Sequence, residues 1–385
     1  MIDFKRLNEL VQQDIELAID LERNKLLYHI SKNIVQKQKM NNCSLYFMRT
    51  KSNIENSKRV ALDFFKNIGQ GLYKKAEAIL KGKSDVEVRE HKFDPNGTEI
   101  VKEKDGKEYH TKTPSLRLEN GKFVFYLPYY ETVKDIYTIV HEISHTFDYS
   151  KEDTSTHYFL GEVTSNMFET MLGKYLAEKE VIPLCEILEI EKESRISNYD
   201  EAVEVLAMLE LMKAKKEKGI IEETDIRKLQ DEYGVKEDAV GFVINKIIDT
   251  HKSLYLGARY MMAGLVVPKV IQDYEKNPKE FIVKLEHYFK SVKEDDYQGT
   301  LDILGIDLSI DCKEKNTGKV GIEGLIEKAN EHKKRLDEEM EKTKMKKTKL
   351  DNLKSMTSGV DVGKITTVKS TIEKETINEE RKINE

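Results

Sequence analysis

Ile136-Tyr-Thr-Ile-Val-His141-Glu142-Ile143-Ser144-His145 is the stretch from which the rest of this chain is read. Ile136, Ile139, Val140 and Ile143 recur at helical spacing, which predicts a helix with an apolar stripe buried in a core. On that helix His141 and His145, four residues apart, stand one turn above each other. Both imidazoles can therefore reach one metal ion, with Glu142 beside it, and this spacing of these residue types is that of a zinc hydrolase.

Two histidines leave a zinc site incomplete, because catalytic zinc usually takes three protein ligands and keeps a fourth position for water. Downstream, Phe159-Leu-Gly-Glu162-Val-Thr-Ser-Asn-Met-Phe-Glu169 reads as a second helix. Glu162 and Glu169 are seven residues, about two turns, apart on one face, and either carboxylate can reach the metal. The usual arrangement of one ligand and one orienting acceptor favours Glu162 as ligand and Glu169 as the group that holds a ligand imidazole through its other ring nitrogen. The polar stretch from Ser150 to Thr156 would turn the chain between the two helices. His157, at its end, is a spare ligand candidate that reads more simply as a capping or surface residue.

Upstream, Ser115-Leu-Arg-Leu118 and Phe123-Val-Phe-Tyr-Leu127 flank Asn120-Gly121, a strong hairpin signal, and Pro128 is expected to end the second strand. With further turn signals at Pro95-Asn-Gly97 and Asp105-Gly106, residues 83–130 are predicted to form a small antiparallel β region leading into the metal helix. An exposed strand edge there could accept an extended peptide by main-chain hydrogen bonds.

HEISH followed by FLGEVTSNMFE resembles the thimet oligopeptidase and oligoendopeptidase F family of zinc peptidases, in which an H-E-x-G-H helix precedes a helix of the form F-[LV]-x-E-x-x-S-x-x-x-E. The resemblance implies Glu162 as the third zinc ligand. The segment from His251 through Tyr255 and Tyr260 to Gly264 looks like the family's late His and Tyr-rich segment, implying that His251 with Tyr255 or Tyr260 steadies the substrate carbonyl. Glu286 to Leu308 is similar to the family's closing stretch, so the likeness runs over roughly residues 115 to 310. Ser144 stands where the family has Gly, Asp148 where a third His often follows, and the interval between His145 and Glu162 is shorter than the family's. The chain reads as a shortened, divergent member: a helical gluzincin-like body acting on short peptides through zinc-activated water, with Glu142 as general base. The alternative is a non-catalytic helical protein on the same scaffold that binds a peptide or protein partner, a role that would not require Glu142.

Composition frames this reading. The 385 residues, 39% of them hydrophobic, can build a sizeable core, and six Pro with long runs of Leu, Ile, Glu and Lys point to a mainly α body. Expected regions are N-terminal helices (about three) over 1–82, the β region 83–130, a helical zinc-binding region 131–311, a charged exposed helix 312–355 and a disordered tail 356–385, where apolar residues become sparse. Cys43, Cys185 and Cys312 form no CxxC pair and suggest a reducing compartment. With no basic-plus-apolar leader at Met1-Ile-Asp-Phe-Lys-Arg, the expectation is a cytoplasmic protein. The apolar stretch 253–271 contains Arg259 and Pro268, which argues against a membrane span. A net charge of -6 with dispersed Lys and Arg gives no footprint for nucleic acid. Nothing in the pattern fixes an oligomeric state.

Overall fold

The computed structural model describes residues 2–17, 21–37, 50–92, 101–102, 108–109, 115–119, 122–148, 155–233, 235, 237–250, 254–309 and 318–357. Among the described residues four helices open the chain: α1 (Phe4–Leu17), α2 (Leu21–Lys37), α3 (Ile54–Ile68) and α4 (Gln70–Leu80). Asn53 starts α3 by accepting a hydrogen bond from the Asn56 backbone at 2.8 Å. The continuous apolar spacing across α3 and α4 masks the break at Gly69, whose extended backbone ends one helix and begins the next.

Among the described residues five short strands follow: β1 (Val86–Lys92), β2 (Val101–Lys102), β3 (Glu108–Tyr109), β4 (Ser115–Glu119) and β5 (Lys122–Tyr129). β4 and β5 pair antiparallel from Ser115 opposite Tyr126 to Glu119 opposite Lys122; the Asn120-Gly121 turn lies outside the described residues, as do Pro95-Asn-Gly97 and Asp105-Gly106. β1, however, pairs with β5 in parallel, from Val86 opposite Phe123 to Lys92 opposite Tyr129. The expectation of a purely antiparallel region is thus corrected: the sheet is mixed, in the order β1-β5-β4. Parallel partners need a long crossover between them, and such pairing leaves no local turn signal to read. Pro128 does not end β5 but sits inside it opposite His91, near the strand end, where a missing N–H is tolerated.

Helices then resume as α5 (Lys134–Asp148), α6 (Ser155–Leu160), α7 (Val163–Glu178), α8 (Leu184–Lys218), α9 (Glu223–Tyr233), α10 (Glu237–Thr250), α11 (Leu254–Lys276), α12 (Pro278–Lys293), α13 (Tyr297–Leu304) and α14 (Ile322–Thr357). The molecule is mainly helical. Contacts divide it into two units, Met1–Arg335 and Leu336–Glu385. The first holds the sheet and the core; the start of α14 buries Ile322, Leu325 and Ile326. The second includes the rest of α14, and the tail beyond Thr357 lies outside the described residues. No helix among the described residues is long and apolar enough to cross a membrane.

The core that seats α5 is aromatic. Phe147 meets Phe65 of α3 edge-on with ring centroids 5.6 Å apart, Phe168 of α7 at 5.8 Å and Phe289 of α12 at 5.8 Å. Truncating one such buried ring typically costs about 3–5 kcal/mol, so the helix bearing His141 and His145 is held by packing from three sides.

Candidate metal centre

α5 is aimed before it begins. The buried Asp135 carboxylate accepts hydrogen bonds from the backbone N–H groups of Tyr130 at 2.9 Å and Thr132 at 3.1 Å, which fixes the turn out of β5. One wall of the resulting helix is apolar, with Ile136, Ile139, Val140 and Ile143 all buried. The rotation that buries those four leaves His141, Glu142 and His145 turned toward α7 and β4.

His141 Nε2 and His145 Nε2 lie 3.2 Å apart, and Glu162 Oε2 is 3.4 Å from the first and 3.5 Å from the second. A tetrahedral ion with nitrogen and oxygen ligands at about 2.0–2.1 Å separates its ligands from one another by about 3.3–3.4 Å. The three donors therefore outline one face of a coordination tetrahedron, and among the described residues they are the group able to hold a metal ion. Glu162 sits at the N-cap of α7. The Ser165 hydroxyl donates to its carboxylate at 3.2 Å, and the Asn166 amide donates to its carbonyl at 2.8 Å. Glu169, two turns further along, places Oε1 3.0 Å from His141 Nδ1.

The electrostatics are those of a buried, anionic pocket. Burial works against a charge on His141, but Glu169 and Glu162 outweigh it and hold its pKa well above the ordinary value. His145 goes the other way, down to about 4, through burial and in spite of Glu162. Burial also opposes ionisation of Glu162, yet His145 and His141 bring it down to about 2, so it is a carboxylate at neutral pH. A metal ion must displace the His141 proton, which ties metal affinity to pH. Glu142 is pushed up to about 7 by burial, against the pull of His141 and of a backbone hydrogen bond from Leu116. Leu116 belongs to β4, the edge of the sheet among the described residues, so the β4 backbone reaches Glu142.

From α11, Tyr260 joins the centre. Its phenol is held well above the usual range, first by the Glu162 charge, then by burial and Glu142. Tyr255 lies on the same helix, with its side chain outside the described residues, as is all of His251; the side chain of His157 on α6 is likewise outside them. Three contributors escape a sequence reading. Arg259 places a positive charge close enough to bear on both Glu162 and His145; in the sequence it shows only as a charge interrupting an apolar run. Ser165 is the Ser of the F-[LV]-x-E-x-x-S pattern, but no role attaches to it until the contact with Glu162 is seen. The Leu116 backbone has no sequence signal at all.

No protein family model matches the chain, and no curated protein matches it. In fold it is similar to the crystal structure of a "putative peptidase from Chlamydophila abortus", with a TM-score of 0.51 and 14% sequence identity. That match covers 89% of this chain and 56% of the other, so the chain spans a little over half the length of that protein.

Proposed function

We propose that the protein is a zinc-dependent metallopeptidase hydrolysing peptide bonds in short peptides, a shortened and divergent relative of the thimet oligopeptidase and oligoendopeptidase F peptidases. The observation that carries this reading is the triangle of His141, His145 and Glu162 with Glu142 immediately beside it. Two imidazoles and one carboxylate with a position left open is the donor set of catalytic zinc. These three residues would hold the ion, and zinc so held supplies Lewis acidity toward water and toward a carbonyl oxygen.

The remaining work falls to the chain's own groups. Glu142, raised by burial to about 7, is suited to take a proton from water and pass it to the leaving amine at neutral pH. Tyr260 keeps its proton at any working pH and can donate a hydrogen bond to a developing oxyanion. Glu169 accepts from His141 and fixes the ring that faces the metal. The outer side of β4 carries no neighbouring strand among the described residues, and an extended peptide added there would lie across Glu142 with its backbone hydrogen-bonded.

The test is cleavage of a quenched fluorescent peptide library by the parent and by Glu142→Gln at equal zinc loading. The variant is expected to bind zinc nearly as the parent does and to lose roughly a hundredfold or more in turnover, the scale of a missing general base. Absence of cleavage by zinc-loaded parent would overturn the peptidase reading in favour of the non-catalytic binder.

A further inference from the structure

Beside the metal centre, on the side of His145, lies a polar contact sealed into the apolar core. Asp148 ends α5 three residues after His145; Thr164 lies in the first turn of α7, two residues after Glu162. The Thr164 hydroxyl donates to Asp148 Oδ2, and the Tyr288 hydroxyl of α12 is 3.4 Å from the Thr164 oxygen. Asp148 and Thr164 are fully buried and Tyr288 nearly so. The other carboxyl oxygen of Asp148 is buried with no hydrogen bond.

Three observations give this contact a purpose. First, it is a poor way to gain stability, since a buried carboxyl group with one oxygen unpaired costs more than an apolar pair of similar size. Second, the hydrogen bonds that Ser165 and Asn166 make to Glu162 lie within α7 or at its cap, so they fix Glu162 to its own helix and not to α5. Third, the two histidines are held unequally. His141 has the Glu169 carboxylate on its Nδ1, whereas His145 has no carboxylate on its buried Nδ1 and is touched on that side by the Gly161 backbone, one residue before Glu162. The His145 end of the site therefore depends on how the two helices are set against each other.

Resting on the reading of His141, His145 and Glu162 as a zinc site, we propose that Asp148 and Thr164 are its positioning residues: their hydrogen bond locks the last turn of α5 to the first turn of α7 and so holds Glu162 at bonding distance from the ion that His145 reaches. Each end of the clasp is within one helical turn of a ligand, so a small shift of α7 carries directly to the Glu162 carboxylate. A second tie acts on the same segment. Asp295, in the left-handed turn after α12 with φ 56°, accepts from the Thr156 backbone at 2.7 Å and from its hydroxyl at 2.8 Å, which anchors α6 as it leads toward Glu162.

Zinc affinity by competition with a chromophoric chelator, together with the visible spectrum of the cobalt-substituted protein, tests the proposal. Thr164→Val, which keeps shape and removes the hydroxyl, is expected to weaken zinc about 10- to 100-fold, the usual loss when a group supporting a metal ligand is removed, and to alter the cobalt spectrum. Thr164→Ser, which keeps the hydroxyl, is expected to bind within about threefold of the parent, on the scale of an intact supporting hydrogen bond. Should Thr164→Val fail to fold, the triple variant Asp148→Ala, Thr164→Val and Tyr288→Phe removes the carboxyl group together with both hydroxyls that face it; it is expected to show the same weakened zinc. Parental zinc affinity in a folded Thr164→Val or triple variant overturns the proposal, even if the melting temperature has shifted. A parent protein that binds no zinc, or whose zinc survives His145→Ala, overturns the reading of the centre and this proposal with it.

Discussion

At the scale of single residues, the centre is a matter of who holds whom. Glu169 occupies His141 Nδ1 at 3.0 Å, which leaves Nε2 to face the triangle. Glu169→Ala should weaken zinc about 10- to 100-fold, read by chelator competition, with the fold intact; an unchanged affinity would reduce Glu169 to a packing role. The grouping of His141, His145 and Glu162 was legible in sequence because it depends on short spacings, four residues between the histidines and seven from Glu162 to Glu169, although Glu162 caps α7 and does not lie inside a helix that begins at Phe159. Arg259 was not, because its effect on Glu162 and His145 arises from an approach across about a hundred residues of chain.

At the scale of elements, α5 and α7 make the site between them, and the link nearest their junction is titratable. Burial pushes Asp148 up to about 7, with Thr164 and Lys293 pulling the other way. Its folded pKa thus lies above the unfolded value, so the native state binds the proton more tightly. The stability tied to that proton is present in full below the ordinary carboxylate range and is lost as pH rises through about 7. In the metal-free protein, Asp148→Asn should flatten this slope, so that the parent loses more stability than the variant between pH 5 and pH 8, by on the order of a few kcal/mol. Parallel denaturation curves at the two pH values would decide it, and equal losses would show that Asp148 is ionised throughout.

At the scale of the whole molecule, the candidate ligands come from α5 and the start of α7, which different parts of the core support. Phe65, Phe168 and Phe289 press on Phe147 from α3, α7 and α12, and α7 also packs against α11, which brings Tyr260. An ion bound only by this folded arrangement stabilises it by mass action, by about 2.7 kcal/mol at a hundredfold excess over Kd. Zinc should therefore raise the melting temperature of the parent and leave that of His145→Ala unmoved; a rise of the same size in both would place the stabilising ion elsewhere.

The sequence by itself determined what depends on neighbours along the chain. The helix of His141 to His145, the helix that carries Glu169, and the antiparallel pairing of β4 with β5 all follow from residue periods and turn chemistry over spans of a few residues to about twenty; the break between α6 and α7 that sets Glu162 at a helix start does not. Tertiary structure decided what depends on distant segments meeting: β1 lying parallel to β5, the Leu116 backbone reaching Glu142, Arg259 and Tyr260 arriving from α11, and Asp148 closing on Thr164. A hydrophobic period states which face of an element is buried but not which partner buries it. Those contacts are chosen by packing of the complete core, where each face selects among many apolar partners, and no short window of sequence contains that choice.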